Sequence, residues 1–129
     1  HSSAVDTLEK RAGVCRDVAH LGNGLCRAMN IPARYVSVYS HLLNPPDFHA
    51  VFEVFIGGMW YLLDPTRLAP LNGFVRIATG RDAADVSVAT VFGASKFESS
   101  TVQCNVVGGE YEPITRDSLA NAGQAIALL

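Results

Sequence analysis

Three cysteines and four histidines are the side chains of this 129-residue chain best suited to nucleophilic or metal chemistry. Cys15 directly follows Gly13-Val14 at the start of a predicted helix. The free N–H groups and partial positive charge of a helix start stabilise a thiolate, and Gly13 leaves room for a substrate to approach. Cys15 is therefore the candidate nucleophile. We interpret Cys26, late in the helix, and Cys104, within a predicted strand, as packing residues.

A cysteine nucleophile needs a base and a group that orients the base, and a predicted hairpin supplies both. Two predicted strands flank Gly57-Gly58, a pair typical of a two-residue hairpin turn. In that register Val51 pairs with Asp64. The side chain of His49 lies on the same face as that of Asp64, diagonally across the two strands, and the Cα atoms of His49 and Asp64 are roughly 7–8 Å apart. We predict that Asp64 accepts the Nδ1–H of His49, which leaves Nε2 to face the thiol of Cys15.

The other titratable residues give weaker signals. No cysteine or histidine pair has the spacing of a zinc motif, so we expect no metal and no cofactor. We interpret His20 as structural and His41 as a solvated loop residue. Arg34, Arg81 and Asp82 are expected to form an ion network with a structural role.

Composition narrows the class of protein. Hydrophobic residues make up 49% of the chain and charged residues 17%, which supports one core and argues against disorder. A net charge of −2 offers no basic surface, so we expect neither nucleic-acid nor membrane binding. Three cysteines without paired spacing favour a reducing, cytoplasmic location. The length predicts one domain over 1–129, and the start at His1 predicts a fragment that lacks an upstream region.

The order of predicted elements indicates the α+β class. Apolar residues recur at helical spacing over 14–29, where Gly22 and Gly24 are expected to let the helix approach a sheet closely. A C-terminal helix is predicted over 117–129. The predicted strands cover residues 34–40, 48–56, 59–64, 74–77, 87–92 and 101–107. A helix followed by a run of strands predicts an N-terminal helix packed on an antiparallel sheet.

Three ordered blocks of sequence resemble the core of the transglutaminase-like superfamily. They are 11–21, 27–36 and a third block that contains Phe48-His49-Ala50, Glu53-Val54, Trp60 and Asp64-Pro65-Thr66. Segment 80–86 is similar to that of bacterial transglutaminase-like cysteine proteases, and the resemblance covers about residues 8 to 107. It implies a papain-like catalytic core with Cys15 as nucleophile, His49 as base and Asp64 as the orienting residue.

The chain departs from the pattern of this superfamily at two positions. Val51 stands where many members carry Trp, and we expect this to change the wall of the substrate groove. Glu9 stands where papain-type enzymes carry a Gln that stabilises the oxyanion. The backbone N–H of Cys15 is the expected oxyanion donor, and the second donor is unassigned. Members also carry an upstream region, often a β-sandwich.

These features predict an enzyme that transfers the acyl group of a peptide or protein amide through a thioester on Cys15. We expect hydrolysis to dominate over transfer to an amine. An arylamine N-acetyltransferase-like enzyme is an alternative, although Ala12 breaks its Arg-Gly-Gly-x-Cys motif. An inactive interaction module is a further alternative. We also expect an exposed apolar patch near the strands or the C-terminal tail, covered by an upstream domain or by self-association.

Overall fold

A four-stranded antiparallel sheet and one long helix make up most of the regular structure. The computed structural model describes residues 4–87 and 89–128, with side chains from residue 13 onward. The elements are α1 (Ala4–Ala28), β1 (Ala33–Ser40), β2 (Phe48–Ile56), β3 (Met59–Leu63), β4 (Phe74–Gly80) and α2 (Arg116–Asn121). The strand order is β3-β2-β1-β4, and every neighbouring pair is antiparallel. The predicted α+β architecture, with the N-terminal helix packed on the sheet, is confirmed.

The hairpin of β2 and β3 has the predicted register. Ile56 pairs with Met59 across the turn, and the pairing continues to Phe52 and Leu63. Gly57 and Gly58 have φ angles of 60° and 85°, as a type I′ turn requires, and glycine adopts both without steric cost. The ladder ends at Leu63, so Asp64 follows the last paired residue of β3.

Helix α1 approaches the sheet through its small residues. Cys15, Ala19 and Asn23 are buried on the side that faces the sheet. A Cβ atom added to Gly22 would lie closer than 3.0 Å to the ring of Phe52, so the predicted close approach at Gly22 is confirmed. The same prediction for Gly24 is wrong, because a Cβ atom there would meet nothing within 4 Å.

The large apolar residues of α1 lie on its outer side. Val14, Leu21 and Leu25 are 54%, 64% and 57% exposed, although their spacing indicates the helix in the sequence. Side chains of this size on the inner side would hold the helix farther from Phe52 than Gly22 does. Periodicity therefore located the helix but not the side of it that is buried.

Helix α1 also begins earlier than predicted. It starts at Ala4, which puts Cys15 about three turns inside the helix. The effect of a helix start on charge fades within the first turn, so the prediction that a helix start stabilises the Cys15 thiolate is wrong. Residues 8–12 read Leu-Glu-Lys-Arg-Ala, which are strong helix formers and extend the helix backwards from Gly13.

The opposite side of the sheet carries its own core. Val36, Val38, Val51 and further apolar residues form a buried cluster on this side. The C-terminal tail covers the cluster through Leu119, Ile126 and Leu128, and the backbone N–H of Leu62 donates to the carbonyl of Ile126 at 2.8 Å. The sheet is thus covered by α1 on one face and by the tail on the other.

The chain between β4 and α2 differs from the prediction. The strands predicted over 87–92 and 101–107 are absent from the part of these ranges that the structure describes, which excludes Val88. Val102 is buried, whereas Phe92 and Val107 are 91% and 96% exposed. β-Branched and aromatic residues favour extended backbone, but a strand forms only where a neighbouring edge pairs with it.

The predicted C-terminal helix is present in shortened form. It covers Arg116–Asn121 and begins with a capping box in which the side chains of Thr115 and Ser118 bond to each other's backbone N–H groups. Gly123 has a φ angle of 63°, a conformation common just after a helix. Among the described residues, neither helix combines the length and apolar character that a membrane crossing requires.

Candidate active site

His49 and Asp64 meet where β2 begins and β3 ends. Nε2 of His49 donates to Oδ2 of Asp64 at 2.7 Å, and the two residues are only 2% and 4% exposed. This is the contact that the hairpin register predicts. The predicted orientation of the ring is wrong, because Nε2 rather than Nδ1 faces the carboxylate. Nδ1 is therefore the ring nitrogen left for the thiol of Cys15.

Thr66 holds the second oxygen of Asp64. Oδ1 of Asp64 accepts from the hydroxyl of Thr66 at 2.7 Å and from its backbone N–H at 3.1 Å. The Thr66 hydroxyl in turn accepts from the backbone N–H of Leu68 at 3.3 Å. Both carboxylate oxygens are engaged, so the plane that faces His49 is fixed. No role was predicted for Thr66, although an Asp bonded to a residue two positions later is typical of an Asx-turn.

Cys15 lies on the other side of the His49 ring. The thiol and the ring are joined by a side-chain hydrogen bond. Cys15 is 4% exposed and packs with Ala19, Tyr35 and Ala50. The structure therefore brings together the three residues predicted from the sequence.

The surroundings of His49 control its charge. Burial lowers the pKa of this imidazole, but hydrogen bonds and charges from Asp64 and Cys15 outweigh burial and raise the pKa to about 9. At neutral pH the ring is then an imidazolium held between a carboxylate and a thiol.

A groove with a cavity volume of about 540 Å³ opens onto Cys15 and His49. Its other walls come from α1, from β1, from the start of β2 with the residue before it, and from the segment after β4. They include Arg16, Tyr35, Ser37, Asp47, Phe48, Ala50, Ala83, Ala84, Val86, Ser87 and Ala89. Val51 does not line the groove, because it is fully buried in the core cluster with Val36 and Val38. The prediction that Val51 changes the groove wall is wrong.

Tyr35 lines the groove and packs against Cys15. Burial, together with the charge of Cys15, raises the pKa of Tyr35 to about 12 against the opposing effect of Arg16, so its hydroxyl stays protonated. The side chain of Arg16 hydrogen-bonds to this hydroxyl. The Tyr35 ring also contacts the ring of His20, with centroids 5.0 Å apart, and Nε2 of His20 accepts from the backbone N–H of Ala83 at 3.4 Å. This packing agrees with a structural role for His20.

His41 lies away from the groove and is only half-buried. Its Nδ1 is 2.9 Å from the carbonyl oxygen of Cys104, and its ring contacts the edge of Tyr111. His41 lies in the loop as predicted, but its ring is packed there and is not fully solvated. The loop is packed against the chain after β4, a long-range contact that local sequence does not reveal.

The predicted ion network of Arg34, Arg81 and Asp82 is also wrong. Arg34 instead pairs with Glu53, a fully buried carboxylate that Arg76 binds from the other side. The remaining two residues are exposed: Arg81 pairs with Asp85, and Asp82 accepts from the backbone N–H groups of Ala84 and Asp85. In the described part of the chain, no group of three or more His, Cys, Asp or Glu residues could hold a metal ion.

Comparison with known proteins places this chain in a family. Residues 1–65, half of the chain, match the transglutaminase-like superfamily. A solved structure of a candidate cysteine protease from Cytophaga hutchinsonii is 57% identical, with a TM-score of 0.77. That match covers 87% of this chain and 39% of the other.

Two other relatives extend the comparison. An uncharacterised protein of Mycobacterium leprae is 36% identical over 96 residues, which are 67% of this chain and 34% of that protein. A UPF0252 protein of Pyrococcus horikoshii is 42% identical over 60 residues, which are 46% of this chain and 19% of that protein. This chain therefore spans only about a third of the first relative. It belongs to the transglutaminase-like superfamily.

Proposed function

We propose that this chain is a thiol-dependent enzyme that hydrolyses amide bonds of peptides or proteins. Cys15 is the nucleophile, His49 the general acid and base, and Asp64 the orienting carboxylate. The observation that carries the proposal is the buried His49 ring at an open groove, bonded to Asp64 on one side and to Cys15 on the other. Membership of the superfamily and similarity to a candidate cysteine protease support the same chemistry.

The reaction would begin from a thiolate–imidazolium pair. Sγ of Cys15 attacks the carbonyl carbon of the amide, and the carbonyl electron pair moves onto oxygen to give a tetrahedral intermediate. The C–N bond then breaks, and the proton on Nδ1 of His49 passes to the departing amine. What remains is a thioester between the acyl group and Cys15.

Water completes the cycle by attacking the thioester. Nδ1 of His49 takes a proton from the water as the new C–O bond forms, and cleavage of the C–S bond releases the carboxylic acid. Asp64 keeps Nε2 of His49 in a hydrogen bond throughout, so Nδ1 faces the reacting atoms in both halves of the reaction. Thr66 holds Asp64 in the required plane.

Iodoacetamide labelling gives a sharp first test, because the burial of Cys15 and its proposed activation predict opposite orders of reactivity for the three cysteines. Cys15 is buried, whereas Cys26 and Cys104 are partly exposed, so accessibility alone would make Cys15 the slowest thiol. We expect Cys15 to react first near neutral pH, as followed by mass spectrometry of the three cysteine peptides. His49→Gln should slow the labelling of Cys15, and His41→Gln is the matched control that should not.

Hydrolysis itself is measured with fluorescein-labelled casein, with Cys15→Ala as the blank. We expect the intact chain to release labelled peptides, and we expect His49→Gln to abolish the release. Slow labelling of Cys15 together with no cleavage would contradict the proposal. Fast labelling without turnover of any amide would favour an inactive module, and acetyl transfer to an arylamine would favour the N-acetyltransferase-like alternative.

A further inference from the structure

Amide hydrolysis requires hydrogen-bond donors for the carbonyl oxygen, which becomes an oxyanion in the intermediate. The sequence suggests the backbone N–H of Cys15 as one donor. A second donor is needed to complete the oxyanion site. The side chain of Glu9, where papain-type enzymes carry their Gln, lies outside the described residues. A donor must therefore be sought among the side chains of the groove.

Ser37 has the properties of such a donor. It lines the groove together with Cys15 and His49, and it is only 7% exposed. Its hydroxyl has no hydrogen-bond partner among the described residues. Ser37 lies on β1 directly opposite Ala50, the neighbour of His49 in the chain. A buried hydroxyl without a partner destabilises a free protein, so its presence in a catalytic groove calls for a partner supplied by the substrate.

Tyr35 fits this task less well, although it shares the face of β1 with Ser37. The hydroxyl of Tyr35 is already engaged by the side chain of Arg16. An engaged hydroxyl must break one bond to make another, whereas that of Ser37 is free to turn toward an incoming oxygen.

We infer that the hydroxyl of Ser37 donates a hydrogen bond to the carbonyl oxygen of the scissile amide and stabilises the oxyanion formed when Cys15 attacks. This inference rests on the proposed function. As Sγ of Cys15 bonds to the carbonyl carbon, the electron pair moves to oxygen and the Ser37 O–H points at it. No proton is transferred. The pair returns to reform the carbonyl when the C–N bond breaks.

Ser40 provides a matched control on the same strand. It is 5% exposed, and its hydroxyl also lacks a hydrogen-bond partner in the described part of the chain. Ser40 does not line the groove that contains Cys15. The variants Ser37→Ala and Ser40→Ala therefore remove the same group from equally buried sites, only one of which faces the substrate.

The test compares both variants with the intact chain, using p-nitrophenyl acetate as a defined acyl donor and Cys15→Ala as the blank. For Ser37→Ala we expect kcat to fall about 100-fold with KM nearly unchanged, because the donor acts on charge that develops after binding. Ser40→Ala should keep the kcat of the intact chain. Neither variant should lower Tm, and the rate of Cys15 labelling by iodoacetamide should be unchanged in both, since alkylation forms no oxyanion.

Each other outcome overturns the inference in a recognisable way. An unchanged kcat in Ser37→Ala, with the intact chain active, rejects Ser37 as the donor and leaves the proposed function standing. A raised KM with unchanged kcat assigns Ser37 to ground-state binding instead. A lowered Tm together with slower labelling in Ser37→Ala assigns it a structural role. An intact chain without turnover rejects both this inference and the proposed function.

Discussion

The charge of His49 is decided by two contacts that compete with burial. A histidine as buried as this one would ordinarily lose its proton, because burial disfavours the charged form. Asp64 and Cys15 reverse that outcome through hydrogen bonds and charge. The contacts that keep the ring charged therefore also stabilise the folded chain.

The stability of the fold should depend on pH through His49. Its pKa rises from 6.5 to about 9 on folding, so the folded state holds the proton more tightly than the unfolded state does. The resulting contribution to the free energy of unfolding is fully present below pH 6.5 and is lost as pH rises through about 9. Urea unfolding at about pH 6 and about pH 10 should show this loss in the intact chain.

Two variants isolate the contribution of His49 from those of other groups. His49→Gln should show a smaller fall in the free energy of unfolding between the two pH values. His41→Gln should keep the fall seen in the intact chain, because His41 lies outside the groove. Equal falls in all three proteins would mean that the pKa of His49 is not raised on folding.

Sequence reasoning located the three central residues but not their detailed arrangement. The register of a hairpin determines which residues are neighbours, and this brought His49 and Asp64 together correctly. Register does not determine which ring nitrogen faces the carboxylate, since that depends on the side-chain rotamer. Thr66 and Ser37 were missed because their significance depends on bonds made, or left unmade, in the folded chain.

The helices, strands and turns differ in how well the local sequence predicts them. The turn at Gly57-Gly58 needs two positive φ angles, and this requirement is visible in the residue types alone. The residue types of α1 do not reveal which side of the helix is buried, because either its apolar stripe or its stripe of small residues could pack against the sheet. The side with the small residues is the one that packs on the sheet, because at Gly22 the ring of Phe52 occupies the space that a side chain would need. The prediction of strands after β4 was wrong because strand pairing depends on partners that are distant in the sequence.

The two glycines inside α1 should respond in opposite ways to alanine. Gly22→Ala puts a Cβ atom into the ring of Phe52, and we expect a loss of about 1–3 kcal/mol in the free energy of unfolding. Gly24→Ala meets nothing within 4 Å and improves helix propensity, so we expect a gain of about 0.5–1 kcal/mol. Urea unfolding of both variants measures the difference. Stabilisation by both substitutions would contradict the close approach at Gly22.

At the scale of the whole molecule, apolar surface remains exposed on the outer side of α1 and in the segment after β4. Leu21 and Phe92 are 64% and 91% exposed, for example. Exposed apolar residues were expected near the strands or the tail, and Ile56 and Val75 of the strands are indeed 54% and 55% exposed, while others lie on the helix. The solved relative from Cytophaga hutchinsonii is much longer than this chain, which covers 39% of it. Cover of this surface by an upstream domain or by a second copy of the chain stays a prediction.

In the proposed mechanism, the shape of the groove decides whether water or an amine attacks the thioester. An amine gains when apolar, aromatic walls exclude water from the acyl-enzyme. Here the outer wall is built from the small, exposed residues Ala84, Ser87 and Ala89, and the aromatic residues that line the groove are Tyr35 and Phe48. In the proposed mechanism, the open outer wall would admit water to a thioester on Cys15. We expect hydrolysis because the outer wall is open, and not because Val51 stands where many members of the superfamily carry Trp.

We expect hydrolysis to exceed amine transfer when both reactions are possible. The measurement supplies a glutamine-containing peptide and dansylcadaverine together, and it compares released ammonia and cleaved peptide with the dansyl-labelled product. Cys15→Ala sets the blank. Ala84→Trp adds an aromatic wall at an exposed position of the groove and should raise the ratio of amine transfer to hydrolysis. Amine incorporation that exceeds hydrolysis in the intact chain would reverse the assignment, because an amine could prevail there only if water were kept from the thioester despite the open wall.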